Sequence, residues 1–473
     1  MLTRLYPGLL LLMAMLLALS FAVACGDDDD DNDSGDDDND TGDDDQADDD
    51  AVDDDSAVDD DTACPDLDGD GFTDINCGGE DCNDNDSSIF PGAEDLCDDG
   101  IDQDCDNAAD DGCLAWEVQV VQDNVPECPG MSWVGESYTC WSLAFTPTDQ
   151  PVVAFYDGTN EDLMVAVFTA KGWDIETVDS ENQTGVDPTV DVDSTGRIGV
   201  AFKNITSASN MVSLKSGEAW ITSTLLSGGG EMMGPRNPKL IFDGSDTALV
   251  GAFKGGLAGV YLYTENGAEW DSEKLFVGGD TAYPYTTFDM ALSADGKLGV
   301  VWDEWEEISG IDYTQIYFGV YDFADQEQHV MVRQAEDIGQ DVAVAWTAAN
   351  EPYVFWTTGG IVTIQSGTGS GTSWSISTVP DPYNQIGTPL SALSDTEGNI
   401  WLNYNSDFPP TPRLAAFDGA EWTFQDVLSE GQYGQGSSFA LDSLNLPGVV
   451  YRDQSSGALM YGKLTGVPEV VPE

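Results

Sequence analysis

The stretch Asp193-Ser194-Thr195-Gly196-Arg197-Ile198-Gly199-Val200-Ala201-Phe202 decides the fold. A turn of Asp, Ser, Thr and Gly opens onto a short apolar run that ends on an aromatic, the pattern of a strand entered from a hairpin. It recurs. Apolar runs lead to an aromatic at Phe155, Phe202, Phe253, Trp302, Trp356, Tyr404 and Tyr451, and Ala294-Asp295-Gly296 is a second such turn. Another landmark keeps the same period of roughly 50 residues. Tryptophan opens a short strand at Trp116, Trp173, Trp220, Trp270, Trp374 and Trp422, and residues 326–332 fill the one gap. Turns such as Asn266-Gly267 and Asp418-Gly419 precede these strands.

Two strands therefore flank the first turn, a third ends near Tyr263 or Phe417, and the Trp strand is the fourth. Four antiparallel strands repeated radially predict an all-β fold, a β-propeller. The chain enters it on a lone Trp strand at 116–121 and leaves after three strands, at 459–464. Setting the first strand on the outside of the last blade gives seven blades over residues 114–473 and removes an open edge. The Trp-led repeats resemble the sialidase-like, or BNR-type, propellers of bacterial surface proteins. Aromatics at equivalent places in every repeat read as packing between blades. Function is sought where the repeat breaks.

One break is Asp303-Glu304-Trp305-Glu306-Glu307-Ile308-Ser309-Gly310-Ile311-Asp312, read as a long irregular loop. Its Trp is suited to stacking on a sugar, its carboxylates to acid and base work on a glycoside; a solvated loop is the plain alternative. Lys203, Lys254 and Arg452 follow the periodic aromatic and are candidates for an anion-recognising patch, with ion pairing to Asp157, Asp303 and Asp453 as the structural alternative.

Upstream the chemistry changes. No lysine or arginine lies between Arg4 and Lys171, and the whole chain carries 14 cationic against 89 acidic residues. Such a balance opposes nucleic-acid binding and charge-driven adhesion to anionic lipid. Arg4 and the apolar run Leu9 to Ala24 read as an export signal, residues 1–24. Ala22-Val23-Ala24-Cys25 resembles the lipobox of bacterial lipoproteins, which implies acylation of Cys25 and anchorage at the outer membrane or cell surface. Residues 25–63 are almost purely aspartate with small polar residues and read as a disordered tether.

From Cys64 to Cys113 the aspartates become a spaced code. Asp66, Asp68, Asp70 and Gly71 form the first half of a calcium loop, with the Phe72 carbonyl and Asp74 next in order. Cys77 stands where an EF-hand requires Glu, so this is not an EF-hand. Asp81, Asp84 and Asp86 make a second cluster, and Asp99, Asp102, Asp104 and Asp106 a third. Apart from Cys25, eight cysteines remain: Cys64, Cys77, Cys82, Cys97, Cys105, Cys113, Cys128 and Cys140. An even number in an exported chain suggests four disulfides, with Cys128 and Cys140 bridging ahead of the first complete blade. The run Asp81-Cys82-Asn83-Asp84-Asn85-Asp86, then Pro91-Gly92-Ala93-Glu94 and Asp99-Gly100-Ile101-Asp102-Gln103-Asp104-Cys105-Asp106, resembles the metal-binding module named after MopE, a copper-binding surface protein of methane-oxidising bacteria. The ligands themselves are hard oxygens, with no histidine or methionine, and favour Ca2+ over copper.

His329 is the one histidine of the chain and falls in a Trp-type strand, which leaves a Ser-His-Asp or Cys-His mechanism without a base. Arg197, Arg236, Arg333, Arg413 and Arg452 lack the context in which a sialidase converges three arginines on a carboxylate. The expectation is a monomeric, lipid-anchored protein whose propeller recognises a protein or glycan. The alternative is a propeller glycosidase or lyase.

Overall fold

A computed structural model describes residues 65–93, 101–107, 114–126, 140–227, 236–253, 259–275, 287–308, 311–322, 325–335, 338–358, 363–382, 386–407, 410–428 and 434–466. The export signal, Cys25, the tether, Cys64, Cys97, Asp99, Cys113, Cys128 and Lys254 lie outside them.

Seven four-stranded antiparallel sheets form the blades of a β-propeller. Their innermost strands are Trp141–Phe145, Thr184–Val192, Arg236–Phe242, Phe288–Leu292, Ile338–Trp346, Ile386–Ser394 and Gly434–Leu441, opening blades one to seven in chain order. The ring closes as the sequence predicts. Leu114–Gln122 pairs with Leu459–Gly466 as the fourth strand of blade seven, from Leu114↔Gly466 to Gln122↔Leu459.

Both faces of each sheet are covered by neighbouring blades, which explains why the second strands read as continuous apolar runs rather than as an alternation. In Pro151–Asp157, Val152 and Ala154 pack toward blade two, and Val153 and Phe155 toward blade seven. The described core divides into seven clusters, each spanning one joint between adjacent blades. The periodic aromatics sit in them: Phe155, Phe202, Trp302, Trp356, Tyr404 and Tyr451 are at most 2% exposed. A blade also needs a hole for its neighbour. A Cβ on Gly299 would stand 2.6 Å from the Trp346 ring of the next blade, so that position accepts no side chain.

The innermost strands would leave backbone N–H groups unpaired around the axis, and short polar side chains of the preceding blade meet them. Ser142 Oγ accepts from Val190 N at 3.1 Å, Asp191 from Phe242 N at 2.7 Å, Asp289 from Val344 N at 3.2 Å, Asp341 from Leu390 N at 3.0 Å and Ser438 Oγ from Leu143 N at 3.3 Å.

The turn after each innermost strand has one design seven times over. Its fourth residue adopts a left-handed conformation and is Asp149, Gly196, Asp246, Gly296, Asn350, Gly398 or Asn445. These are the three residue types that enter that region most readily.

The segment read as an irregular loop is not one. Leu298–Ile308 and Ile311–Asp322 stay paired in register to Ile308↔Ile311, so blade four carries a long hairpin. Ile311, Tyr313 and Thr314 are strand formers opposite the charged run.

Candidate functional site

The acidic module is built from tight turns in which aspartates first satisfy backbone N–H groups. Asp66 accepts from Gly69 N at 2.7 Å and Gly71 N at 3.1 Å, Asp68 from Asp70 N at 3.3 Å, and Asp70 from Phe72 N at 2.8 Å. Asp74 caps the 3-10 turn Ile75–Cys77 and bridges in parallel to Asp81, with Ile75 N on the Asp81 carbonyl at 2.7 Å. That bridge carries Asp81 and Asp84 back onto the first loop, where Asp84 accepts from Leu67 N at 3.1 Å.

The result is a convergence of carboxylates. Asp68, Asp81 and Asp84 each present an oxygen within 4.8 Å of the others, and Asp68 also belongs to a similar group with Asp66 and Asp70. Asp81 is fully buried and Asp84 3% exposed. Asp81 Oδ1 takes the Asn83 N–H at 2.7 Å, whereas its Oδ2, like Asp68 Oδ2 and Asp70 Oδ2, is buried with no hydrogen-bond donor. Desolvation and then the neighbouring charges of Asp70, Asp81 and Asp66 push the Asp68 carboxyl above its ordinary range, although the Asp70 N–H acts the other way. Buried, unpaired carboxylates that repel one another are costly, and a cation among them removes the cost. The residues thus fit a metal ion.

Asp102, Asp104 and Asp106 form a further group, in which Asp102 accepts from the Asp106 and Asn107 N–H groups at 3.1 and 2.8 Å and Asp104 from Asp106 N at 3.1 Å. Asp86 is turned onto Ser88, outside the convergence. The Phe72 ring stacks on Phe90 at 5.5 Å. A disulfide joins Cys82 to Cys105, so neither sulfur is a thiolate ligand. Cys77 is exposed, and Cys140 belongs to a disulfide whose other half lies outside the described residues.

On the propeller, Lys203 and Asp303 are each 4% exposed. Burial pushes the Lys203 amine down, opposed by Asp187. Burial likewise drives Asp303 up to about 7, although the Thr287 N–H and hydroxyl both donate to it. Arg452 gives its Nε–H to the Val125 carbonyl at 2.8 Å, pinning the chain that leaves the closing strand. Glu304 accepts from Trp302 Nε1 at 2.9 Å. The side chains of Trp305 and Glu306 lie outside the description.

A cavity of about 100 Å3 sits on the axis, lined by residues of all seven innermost strands or their approaches, among them Asp187, Lys239, Thr287, Asp341 and Ser437. That volume is about three waters and far below the few hundred Å3 of a ligand pocket. Lys239 at its wall pairs with Asp289 of the next blade at 3.2 Å. One polar group escaped the sequence reading. In blade six the buried Arg413 joins Asp381 at 3.1 Å and Asp426 at 2.7 Å, and the buried Tyr404 hydroxyl donates to Asp381. The single cation between residues 386 and 428 was the available signal.

Residues 81–111 match the family model described as "Putative metal-binding motif", of the copper-binding MopE type. No curated protein matches the chain in sequence. Among solved structures, the polysaccharide lyase Uly1 is similar at 9% identity and a TM-score of 0.52, over 74% of this chain and 98% of its own. The α-L-arabinofuranosidase Arb93A of Fusarium graminearum is similar at 10% identity and 0.43, over 75% and 99%. A Hadza microbial sialidase, Hz136, is similar at 15% and 0.38, over 70% and 66%. At these identities the likeness concerns the fold. The fold and motif together define a propeller protein with a metal-binding module.

Proposed function

We propose that this chain is an exported, lipid-anchored bacterial protein in which a Ca2+-dependent module joins the anchor to a propeller that recognises a protein or glycan. The observation that carries the metal reading is Asp81, fully buried between Asp68 and Asp84 with one oxygen lacking any donor. An all-oxygen donor set beside an oxidised Cys82–Cys105 pair suits a hard cation, and several carboxylates in loops of flexible spacing suit Ca2+ better than Mg2+. Recognition rather than catalysis is supported by Asp303 and Glu304, which are spent on Thr287 and Trp302. Anchorage is supported by Cys25 behind three small residues.

Calorimetric titration of the intact chain should show Ca2+ binding that Mg2+ reproduces poorly and that Asp81→Asn lowers by at least tenfold; equal heats from the two ions would end the calcium assignment. The same preparation, presented to a panel of glycans, should bind without cleaving. Turnover that disappears in Glu304→Gln would replace recognition by the glycosidase or lyase reading.

A further inference from the structure

The Cys82–Cys105 bridge and the carboxylate convergence are one mechanical unit. We infer that cation binding and reduction of this disulfide are thermodynamically linked: the oxidised module holds the cation more tightly, and the bound cation makes the bridge harder to reduce. The inference rests on the metal reading above and adds its regulation.

Asp81 directly precedes Cys82, and Asp84 follows two residues later, so two of the three converging carboxylates lie on the segment the bridge fixes. Cys82 N also donates to Cys105 Sγ at 3.1 Å. The Cys105 side of the bridge also accepts two hydrogen bonds, at the Gln103 carbonyl from Phe90 N at 2.8 Å and at the Asp104 carbonyl from Gly92 N at 3.2 Å. On its other side segment 81–84 is held by hydrogen bonds to the first loop, Ile75 N on the Asp81 carbonyl, Asp81 N on the Thr73 carbonyl and Leu67 N on Asp84, with little apolar packing to support them. Among the described residues of the module Ile89 is the one buried apolar side chain, whereas Leu67, Ile75 and Ile101 are 63%, 54% and 45% exposed. Asp81 and Asp84 are buried in a module without an apolar core, so the crosslink and these few hydrogen bonds share the positioning that packing does elsewhere.

Reduction by a dithiol transfers two electrons and two protons to the bridge: the Cys82–Cys105 bond breaks, two thiols form, and the reductant's own sulfurs close into its disulfide. Segment 81–84 then loses its covalent tie to 102–106, and the converging carboxylates are left to the hydrogen bonds with residues 67–75, a looser frame for the ion. Linkage is reciprocal, so the factor by which reduction weakens the cation equals the factor by which the cation disfavours reduction. For this two-electron couple a tenfold factor is about 30 mV.

The test is a redox titration of the intact chain against a dithiol–disulfide couple, with Ca2+ alone as the probe, following Cys82 and Cys105 by differential alkylation and peptide mass. Saturating Ca2+ should shift the Cys82–Cys105 midpoint by at least about 30 mV toward resistance, and leave that of the bridge containing Cys140 where it was. Cys82→Ser with Cys105→Ser should bind Ca2+ at least tenfold more weakly. Asp81→Asn, with the bridge intact, should abolish the Ca2+-dependent shift. A midpoint that ignores Ca2+ in a chain that binds Ca2+ overturns the linkage alone. Absence of Ca2+ binding to the oxidised chain overturns the metal reading and the linkage with it.

Discussion

The module and the propeller bury different things. Among the described residues of the module the interior positions go to Asp81, Asp84, Gln103 and Ile89; in the propeller each joint between blades holds a cluster of buried aliphatic and aromatic side chains. A carboxylate interior cannot drive collapse, because each charge loses water on burial and repels the next. An apolar interior can, at roughly 25 cal/mol per Å2 removed from water. The module therefore depends on a bond and an ion: a bridge across 23 residues is worth about 3 kcal/mol in the chain-entropy model. In the propeller the strands and the clusters between blades supply the contacts. The two regions should respond independently to perturbation.

The largest expected effect comes from the propeller core. Trp356 is 1% exposed in the cluster between blades four and five. Trp356→Ala should cost about 3–5 kcal/mol, seen as an earlier urea transition of the propeller, while Ca2+ titrates as in the parent chain. A Trp356 variant that lost Ca2+ affinity in parallel would show the regions to be coupled and would break the comparison.

A second expected effect separates the two regions by pH. Burial, opposed by its bonds from Thr287, raises Asp303 to about 7; burial also raises Asp341 to about 7 and Asp191 to about 6. A carboxyl whose folded pKa lies above its unfolded value stays protonated in the native state while the unfolded chain has released its proton. Stability from these groups is therefore greatest near pH 4 and falls as pH rises to about 7. Asp453 acts with the opposite sign: despite its desolvation, the hydroxyl and N–H donors of Ser455 and Ser456 hold it down to about 2, so its contribution is lost only as pH drops below the ordinary carboxylate range. Asp303→Asn should flatten the fall between pH 5 and 8, on the order of a few kcal/mol, read from thermal unfolding across that range. An unchanged slope would mean that Asp303 is ionised in place.

How much of this was legible in the sequence follows from the same physics. Side chains buried on both faces of a sheet must be apolar at every repeat, so the aromatic and Trp series exposed the blades, and the lone strand at Trp116 exposed the closure. The hairpin of blade four did not announce itself, because Asp303, Glu304, Glu306 and Glu307 gave a strand the look of a solvated loop. In the module the carboxylates were all visible, but their sorting was not. Asp68, Asp81 and Asp84 meet because of the bridge between Asp74 and Asp81, a contact that no spacing rule contains. The left-handed turn position was hidden differently: Asp149, Gly196, Asp246, Gly296, Asn350, Gly398 and Asn445 share a backbone conformation rather than a residue type.

That turn position gives the smallest expected effect and a finer view of how the ring stays shut. Asp149 of blade one, at φ 60°, accepts from Ser443 N at 2.8 Å and Ser443 Oγ at 2.7 Å in the turn of blade seven, so the joint that the first strand closes on its outer edge is latched again at the turns. The same contact appears as Ser194 on Asp246 and Thr396 on Asn445. Asp149→Ala removes both acceptors and leaves a Cβ where the backbone favours Gly, Asn or Asp, for a cost of about 1–2 kcal/mol. Asp149→Gly restores the backbone without the acceptors and should lie between Ala and the parent. Asp149→Asn keeps one acceptor oxygen, as Asn445 does, and should recover most of the loss. If urea midpoints put Gly level with the parent, the turns contribute conformation alone, and the ring is held by the edge strand and the core between blades.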